Sequence, residues 1–241
     1  MNKFKIGAIM LARSGSSFLN KNIIEISGYP VMAFGMLAAK ETNLIDHYYL
    51  SSDSNDYLTI GEEYGYKPIR RPDILSQSSS KSDDAVLHAY KSIDALKDCD
   101  ILIVQHANVV TIYPELIIKS INILTSDNSI TSVVPAHINN EYNPYRSFCL
   151  NDNTIEPFIE FNETISPNRQ DLTDAYFLDH SFWCIRTENL LKNHNFCPWN
   201  SLGKRITPIL TKDMFDIHSE EDVNKSIIWL NENKDKTKYL K

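Results

Sequence analysis

The sequence predicts an α/β fold in which helices cover both faces of a mainly parallel sheet. Short apolar runs of strand length alternate with longer segments of helical periodicity, an order typical of strand–helix–strand units. The strand-like runs are apolar throughout, which indicates strands that are buried on both faces. A chain of 241 residues, 42% of them hydrophobic, is long enough to form one such domain over residues 1–241.

The first half of the chain alternates regularly between strands and helices. Pro30 occupies the first turn of a helix, and Gly65 follows another helix as a C-cap would. Ser82 is the expected N-cap of a third helix, with Asp83 and Asp84 in its first turn. The predicted strands are 4–11, 47–53, a short extended piece at 67–72, 100–105 and 129–136; the predicted helices are 30–42, 55–65, 84–96 and 114–124.

The pattern changes over residues 137–180. Residues 143–161 suggest a β-hairpin and residues 162–175 an exposed polar loop. Such an excursion from an α/β sheet is typical of a lid or a dimerisation arm. The parallel pattern is expected to return at 176–186, and Ser219 with Asp222 forms a capping box for a last helix.

Composition excludes several classes of protein. The net charge is −7, from 24 basic and 31 acidic residues, and no basic stripe is visible, which argues against a nucleic-acid binder. No segment reaches the roughly 18 apolar residues of a membrane span, and no signal peptide is recognised at the start. The four cysteines form no CxxC pair and no metal-ligand spacing, so we expect reduced thiols in a cytoplasmic protein.

Polar residues that follow the predicted strands are the candidates for a site, because open parallel sheets bind ligands at the C-terminal edge of their strands. After the first strand, the loop combines Gly15 and hydroxyl residues with two cations, Arg13 and Lys21. Backbone amides, hydroxyls and fixed cations suit a polyphosphate; the alternative is an ordinary surface loop. The candidate stretches are 13–22, 52–53, 105–108 and 216–218.

Six blocks of the chain, in order, resemble the acylneuraminate cytidylyltransferase family, the CMP-sialic acid synthetases and their relatives. The opening loop "ARSGSSFLNKN" is similar to the family's "ARxxSKxxxxKN". The other blocks that carry the resemblance are "SGYPVMAFGMLAAKET", "LSSDSNDYLTIGEEYG", "RRPDILSQSSSKSDDAVLHAY", "RQDLTDAYFLDHSFWCIR" and "FDIHSEEDV". The resemblance covers nearly the whole chain, from Ile6 to about Leu230, and implies a Rossmann-like nucleotidyltransferase fold.

The resemblance implies that an acidic sugar attacks the α-phosphate of CTP, so that pyrophosphate leaves and a CMP-sugar for cell-surface polysaccharide biosynthesis forms. It further implies a homodimer built through the excursion, and Mg²⁺ assistance with Mn²⁺ as an alternative. The matching positions for catalysis are Arg13, Lys21 and Asp216, and those for the metal are Asp216 and His218. Those for CTP are Ala12, Arg13, Ser14, Gly15, Ser16, Asn22, Arg71 and Ser82, and those for the acceptor are Gln105, Arg146 and Arg169. Arg146 and Arg169 lie in the excursion, so the subunit whose site they serve is left open.

Three departures from the family pattern concern the phosphate, acceptor and metal positions. Ser17 replaces a lysine, "VQHANVVT" replaces "LQPTSPLR", and His218 replaces an aspartate. The acceptor is therefore left open between a nonulosonic acid and a smaller phosphonate or phosphate ester, and His218 between a direct metal ligand and a hydrogen-bond partner of Asp216. A non-catalytic nucleotide-binding relative is a second hypothesis. A glycosyltransferase is a third, although the Asp98-Cys99-Asp100 triplet precedes its strand instead of following it.

Overall fold

The computed structural model describes residues 4–15, 18–160, 164–196, 198–212 and 214–240. The strands are β1 Ile6–Ala12, β2 Glu25–Ile26, β3 Tyr29–Pro30, β4 His47–Ser52, β5 Lys67–Arg70, β6 Ile101–His106, β7 Ser132–Ile138, β8 Phe148–Asn151, β9 Thr154–Pro157, β10 Tyr176–Leu178, β11 Phe182–Arg186 and β12 Ile206–Leu210. The α-helices are α1 Val31–Glu41, α2 Asn55–Glu63, α3 Ser82–Ser92, α4 Asp94–Lys97, α5 Pro114–Ser126 and α6 Glu220–Glu232.

Eight strands form the central sheet in the order β10-β7-β11-β6-β1-β4-β5, with β12 paired to β7. The β6, β1, β4 and β5 strands are mutually parallel, and β12 is parallel to β7. The expected mainly parallel α/β sheet is therefore confirmed. Because parallel strands end at one edge, the segments that follow β1, β4, β5 and β6 are brought together there.

Side chains of each central strand alternate between two cores, one on each face of the sheet. In β6, Ile101 and Ile103 pack into the core that contains residues of α1, α5 and α6. Leu102 and Val104 pack into the other core, which contains residues of α3 and α4. Helices thus cover both faces, as the continuously apolar strands predict.

The end of the sheet beyond β6 differs from the sequence prediction. The segment 176–186 is not a returning parallel strand: β10 and β11 are two strands, and both run antiparallel to their neighbours. The sequence prediction also lacked β12, a short strand that contains Pro208 and, among the described strands, pairs with β7 alone. Proline lacks a backbone donor and argues against a strand when it is read from sequence, but it is tolerated in a strand with one paired side.

Helix ends agree with the sequence at two positions and differ at two. Pro30 is not in the first turn of α1 but is its N-cap, in extended conformation. Ser219 caps α6 by accepting from the Asp222 amide at 3.3 Å, and Gly65 follows α2 with φ +77°. Ser82 is not an N-cap, however, because it is the first residue of α3 and Lys81 precedes the helix without a side-chain capping bond. The Ser82 hydroxyl is consequently not committed to capping.

The excursion contains the expected hairpin, formed by β8 and β9. Several large apolar side chains on it are exposed, namely Tyr142, Phe148, Leu150, Ile155 and Phe158. Within the described ranges, no helix is long and apolar enough to cross a membrane.

Candidate functional site

A cavity of about 220 Å³ lies beyond the C-terminal ends of β1, β5 and β6, where the parallel sheet is expected to bind ligands. Four cationic side chains line it, from Arg13, Lys21, Arg71 and Lys81. The remaining lining residues are Leu11, Asn22, Leu75, Gln77, Ser78, Ser80, Ser82, Ala85, His106 and Asn108. Five of the residues assigned from the sequence to catalysis or CTP thus line one space.

The loop after β1 is held by side-chain bonds to its own backbone and to the end of β4. The Ser14 amide donates to Asp53 Oδ1 at 3.0 Å, and the Ser14 hydroxyl donates to Asp53 Oδ2 at 2.6 Å. The side-chain amide of Asn22 donates through Nδ2 to the Arg13 carbonyl at 3.1 Å. Burial alone would raise the pKa of Asp53, but the bonds from Ser14 and the charge of Arg71 lower it overall. An ionised Asp53 therefore fixes the start of the loop.

Arg13 and Gly15 lie on the open side of this loop. Arg13 Nη1 donates to the Gln77 carbonyl at 2.8 Å, which joins the loop after β1 to the segment before α3. Apart from its chain neighbours, no described residue has an atom within 4 Å of the position that a Cβ would take at Gly15, so the described surroundings leave room for a ligand there. Ala12 is buried as the last residue of β1. Ser16 and Ser17 lie outside the described residues.

Arg71 is a buried cation without a side-chain partner among the described residues. Its side chain is only 4% exposed, and Nε and Nη2 form no hydrogen bond. Burial lowers its pKa to about 10, although the nearby Asp53 carboxylate opposes that shift. Folded proteins pair nearly all buried polar groups, so a guanidinium that lines a cavity with two unpaired nitrogens indicates a ligand-binding position.

Lys21, His218, Asp216 and Asn108 form a connected row of polar groups. Lys21 Nζ lies 3.3 Å from His218 Nδ1, and His218 Nε2 lies 2.5 Å from Asp216 Oδ2. The side-chain amide of Asn108 donates through Nδ2 to the same carboxylate oxygen at 3.1 Å. Burial lowers the pKa of Lys21, the Asp216 carboxylate opposes that shift, and Arg13 adds to it. The row connects the cationic loop after β1 to the segment before α6.

The described residues contain no group of three or more His, Cys, Asp or Glu side chains that could enclose a metal. Asp216 can still hold an ion through Oδ1, which forms no hydrogen bond with a described residue, while Oδ2 is occupied by Asn108 and His218. Both ring nitrogens of His218 face protein groups in this arrangement. The donor set fits Mg²⁺, which binds proteins through one or two carboxylates and completes its shell with substrate phosphates and water.

The expectation that Gln105 faces an acceptor needs correction. Gln105 is fully buried; its Nε2 donates to the Gly35 carbonyl at 2.6 Å, and its Oε1 accepts from the Tyr66 hydroxyl at 2.8 Å. Alternation along β6 explains this, because residue 105 points to the same face as Ile103, whereas His106 points to the face where the cavity opens. His106 and Asn108 are the cavity residues of this stretch; strand alternation was the sequence signal that could have identified them.

Arg146 and Arg169 do not line the cavity. Both are exposed, and both contact Glu141: Arg146 Nη1 at 3.4 Å from Oε1 and Arg169 Nη1 at 3.1 Å from Oε2. In this subunit the two arginines therefore belong to the surface of the excursion.

The family model described as "Cytidylyltransferase" matches residues 7–240. A bifunctional protein of Helicobacter pylori (strain ATCC 700392 / 26695), a pseudaminic acid cytidylyltransferase and UDP-2,4-diacetamido-2,4,6-trideoxy-beta-L-altropyranose hydrolase, is 26% identical over 209 residues. That alignment covers 86% of this chain and 40% of the relative, so the chain spans less than half of that protein. The pseudaminic acid cytidylyltransferase of Campylobacter jejuni subsp. jejuni serotype O:23/36 (strain 81-176) is 28% identical over 175 residues, covering 70% of this chain and 72% of the relative.

The fold also matches a solved structure. The structure of CMP:2-keto-3-deoxy-manno-octonic acid synthetase complexed with CTP superposes with a TM-score of 0.68 at 14% identity. The match covers 95% of this chain and 99% of the other. At this identity the likeness concerns the fold alone.

Proposed function

The chain belongs to the cytidylyltransferase family, and from that premise we propose that it transfers CMP from CTP to an acidic sugar of the nonulosonic type and releases pyrophosphate. The observation that carries the proposal is the cavity lined by the cations Arg13, Lys21, Arg71 and Lys81. Four cationic groups around about 220 Å³ match a highly charged triphosphate better than a neutral ligand.

The cytidine end of the proposed site lies at Arg71, Ser82 and Asn22. A carbonyl oxygen such as that of cytosine would satisfy the unpaired guanidinium nitrogens of Arg71. Ser82 opens α3, and the first backbone N–H groups of a helix have no intrahelical acceptor. Asn22 is buried with its amide nitrogen bonded to Arg13, which leaves its oxygen as an acceptor. These groups suit the polar edge of a base.

The triphosphate is proposed to lie along Arg13, Gly15 and Lys21. In the reaction, a hydroxyl of the acceptor loses its proton to solvent and attacks the α-phosphorus, so that a P–O bond to the acceptor forms as the bond to the leaving pyrophosphate breaks. Negative charge gathers on the pyrophosphate as that bond breaks. Arg13 is already bonded to Gln77, and Lys21 contacts His218, so both cations are positioned before the charge develops.

We propose that Asp216 holds the divalent ion, Mg²⁺ or alternatively Mn²⁺. When bound, the ion would neutralise charge on the triphosphate oxygens. Asn108 and His218 hold the Asp216 carboxylate in place through its Oδ2 atom. His218 is proposed to act through Asp216 and Lys21, because both of its ring nitrogens contact these two residues.

We further propose a homodimer built through the excursion at 137–180. The exposed apolar side chains on its hairpin support this, because contiguous exposed apolar patches are typical of interfaces. Arg146 and Arg169 would then contact acceptor bound to the neighbouring subunit. Light scattering is expected to give twice the chain mass at micromolar concentration; a monomer would refute this assembly.

The proposal is tested by pyrophosphate release from CTP with Mg²⁺ and a panel of acceptors. The panel contains pseudaminic acid, N-acetylneuraminic acid, ketodeoxyoctonate and a small phosphonate. We expect release with at least one sugar acid and none with CTP alone. Release only with the phosphonate would change the acceptor class. If no acceptor of the panel gives pyrophosphate release although the protein binds CTP, the result would favour the hypothesis of a non-catalytic nucleotide-binding relative.

A lysine pair supplies a matched control for this assay. Lys21→Met removes a cation that lines the cavity and is expected to cut pyrophosphate release strongly. Lys119→Met makes the same change at an exposed position of α5 and is expected to leave release unchanged. Equal loss in both variants would remove the support that Lys21 gives to the proposal.

A further inference from the structure

Three buried polar atoms at neighbouring positions of β6 and β11 and the residue before β11 have no hydrogen-bond partner among the described residues. They are His106 Nε2, Ser181 Oγ and Trp183 Nε1. The register of β6 and β11 pairs Gln105 with Phe182 and Val104 with Trp183, and the His106 amide donates to the Ser181 carbonyl at 3.1 Å. The side chains of His106, Ser181 and Trp183 therefore point to the same face of the sheet. Among the three, His106 lines the cavity.

The order of the strands separates this wall from the proposed nucleotide. Arg71 follows β5 and Arg13 follows β1, whereas His106 ends β6, on the side of β1 that faces away from β5. The antiparallel β11 begins at the same edge, which brings His180 and Ser181 next to His106. Cytidine near β5 and phosphates near β1 thus leave the ends of β6 and β11 as the place for an acceptor.

Packing fixes the His106 ring in a wall of flat side chains. Its centroid lies 5.0 Å from the Trp183 ring and 6.0 Å from the His180 ring, with edge-on geometry in both cases. The His180 ring in turn lies 5.0 Å from Trp199. Aromatic walls with a few fixed polar atoms are typical of small-molecule sites.

The wall is uncharged. Burial lowers the pKa of His106 to about 4, His180 adds to the shift, and Asp216 opposes it. Burial also lowers the pKa of His180. A neutral imidazole offers one donor and one acceptor. It therefore complements a neutral polar group, whereas the cations of the cavity lie toward β1 and β5.

We propose that His106 binds the acceptor through a neutral hydrogen-bonding substituent, a hydroxyl or an N-acyl amide. This inference rests on the proposed function and deepens it, because it assigns an acceptor-specificity position to a residue that differs from the family's "LQPTSPLR" pattern.

The test compares kinetics of four proteins with pseudaminic acid, N-acetylneuraminic acid and ketodeoxyoctonate. They are the wild type, His106→Phe, His106→Gln and the control His47→Phe, which makes the same change at the start of β4, at the opposite edge of the sheet. His106→Phe is expected to raise the acceptor KM about tenfold, the scale of one lost hydrogen bond. We expect it to leave the Kd of CTP within twofold and to bring kcat/KM for the three acids closer together. His106→Gln retains hydrogen-bonding atoms and should lose less.

The outcomes are distinguishable. An active wild type whose His106→Phe variant keeps the acceptor KM and the ratio of kcat/KM among the acids overturns this inference and leaves the proposed function intact. A His106→Phe variant that weakens CTP binding as much as acceptor binding also overturns it. A wild type that releases no pyrophosphate with any acid overturns both. If His106→Phe does not fold, His106→Leu, which also lacks hydrogen-bonding side-chain atoms, decides by the same two readouts, acceptor KM and the ratio of kcat/KM among the acids.

Discussion

Replacing Arg71 with methionine separates a ligand-binding arginine from a structural one. The substitution keeps an apolar stem of similar length and removes the guanidinium. In the ligand-free protein, Nε and Nη2 are buried without a described partner, and burial lowers the pKa of the group. The nearby Asp53 does not lose its own partner, because the Ser14 amide and hydroxyl both bond to its carboxylate.

Arg71→Met is therefore expected to leave unchanged or raise the stability of the ligand-free protein and to lower its affinity for CTP. Removing buried, unpaired polar atoms relieves a desolvation cost of about 1–3 kcal/mol for each unsatisfied group. The ligand-free Arg71→Met protein should consequently melt at the same temperature or a few degrees higher, since about 1 kcal/mol corresponds to about 2–4 °C at this chain length. Loss of a charged hydrogen bond to the ligand costs about 1.5–3 kcal/mol, or roughly a 10- to 150-fold increase in the Kd of CTP.

The assay combines thermal unfolding of the ligand-free protein with calorimetric titration of CTP. Arg70→Met is the matched control: Arg70 is the preceding residue, is exposed, and donates to Asn55 at 2.9 Å outside the cavity. That variant should bind CTP normally. The reasoning about Arg71 would be refuted by an Arg71→Met protein that melts several degrees lower while it binds CTP like the wild type.

Three further predictions concern the loop after β1 and the segment before α6. Arg13→Ala should reduce turnover about 10²-fold, the scale for losing one preorganised charge-stabilising donor. The variant should still fold, since the Arg13 side chain bonds only the Gln77 carbonyl among described residues. Normal turnover would contradict this role of Arg13. Asp216→Asn should abolish metal-dependent turnover, whereas His218→Asp should keep activity and raise Mg²⁺ affinity through the added carboxylate. Titrations of turnover with Mg²⁺ and Mn²⁺ check both variants. An active Asp216→Asn protein with unchanged metal dependence would refute the metal site. The pKa of Asp53 is lowered in the folded state by its bonds from Ser14, so the stabilisation is present above the unfolded pKa of about 3.9 and is lost as the pH falls through the folded value. Ser14→Ala should therefore move acid unfolding, followed by circular dichroism, to a higher pH; an unchanged midpoint would exclude this coupling.

Short stretches of sequence predict much of the fold. The apolar runs of β1 and β6 lie where the sequence predicts them, and so do the cap at Ser219 and the turn at Gly65. Each of these signals depends on residues within a few positions of one another, because apolar periodicity, capping and positive φ are local properties. Two of the four stretches selected from the strand ends, 13–22 and 105–108, contribute residues to the cavity, whereas 52–53 and 216–218 contribute none to its lining.

Other features depend on which distant segments meet. The directions of β10 and β11 and the pairing of β12 with β7 are set by partners far away in the chain, so local patterns do not report them. The excursion shows the same limit, because its hairpin has a local turn signal, whereas the position of its arginines depends on what it packs against.

By itself, the sequence determined the α/β class, the alternation of the main strands and helices as far as β7, and the polar loops that follow those strands. Only the tertiary structure decided that Gln105 enters the core while its neighbour His106 meets the cavity. It also decided that Arg71 is buried without a described partner, and that Ser14 is bonded to Asp53. The physical reason is that burial, hydrogen bonding and pKa depend on surroundings assembled from remote parts of the chain, whereas secondary structure is biased by neighbouring residues.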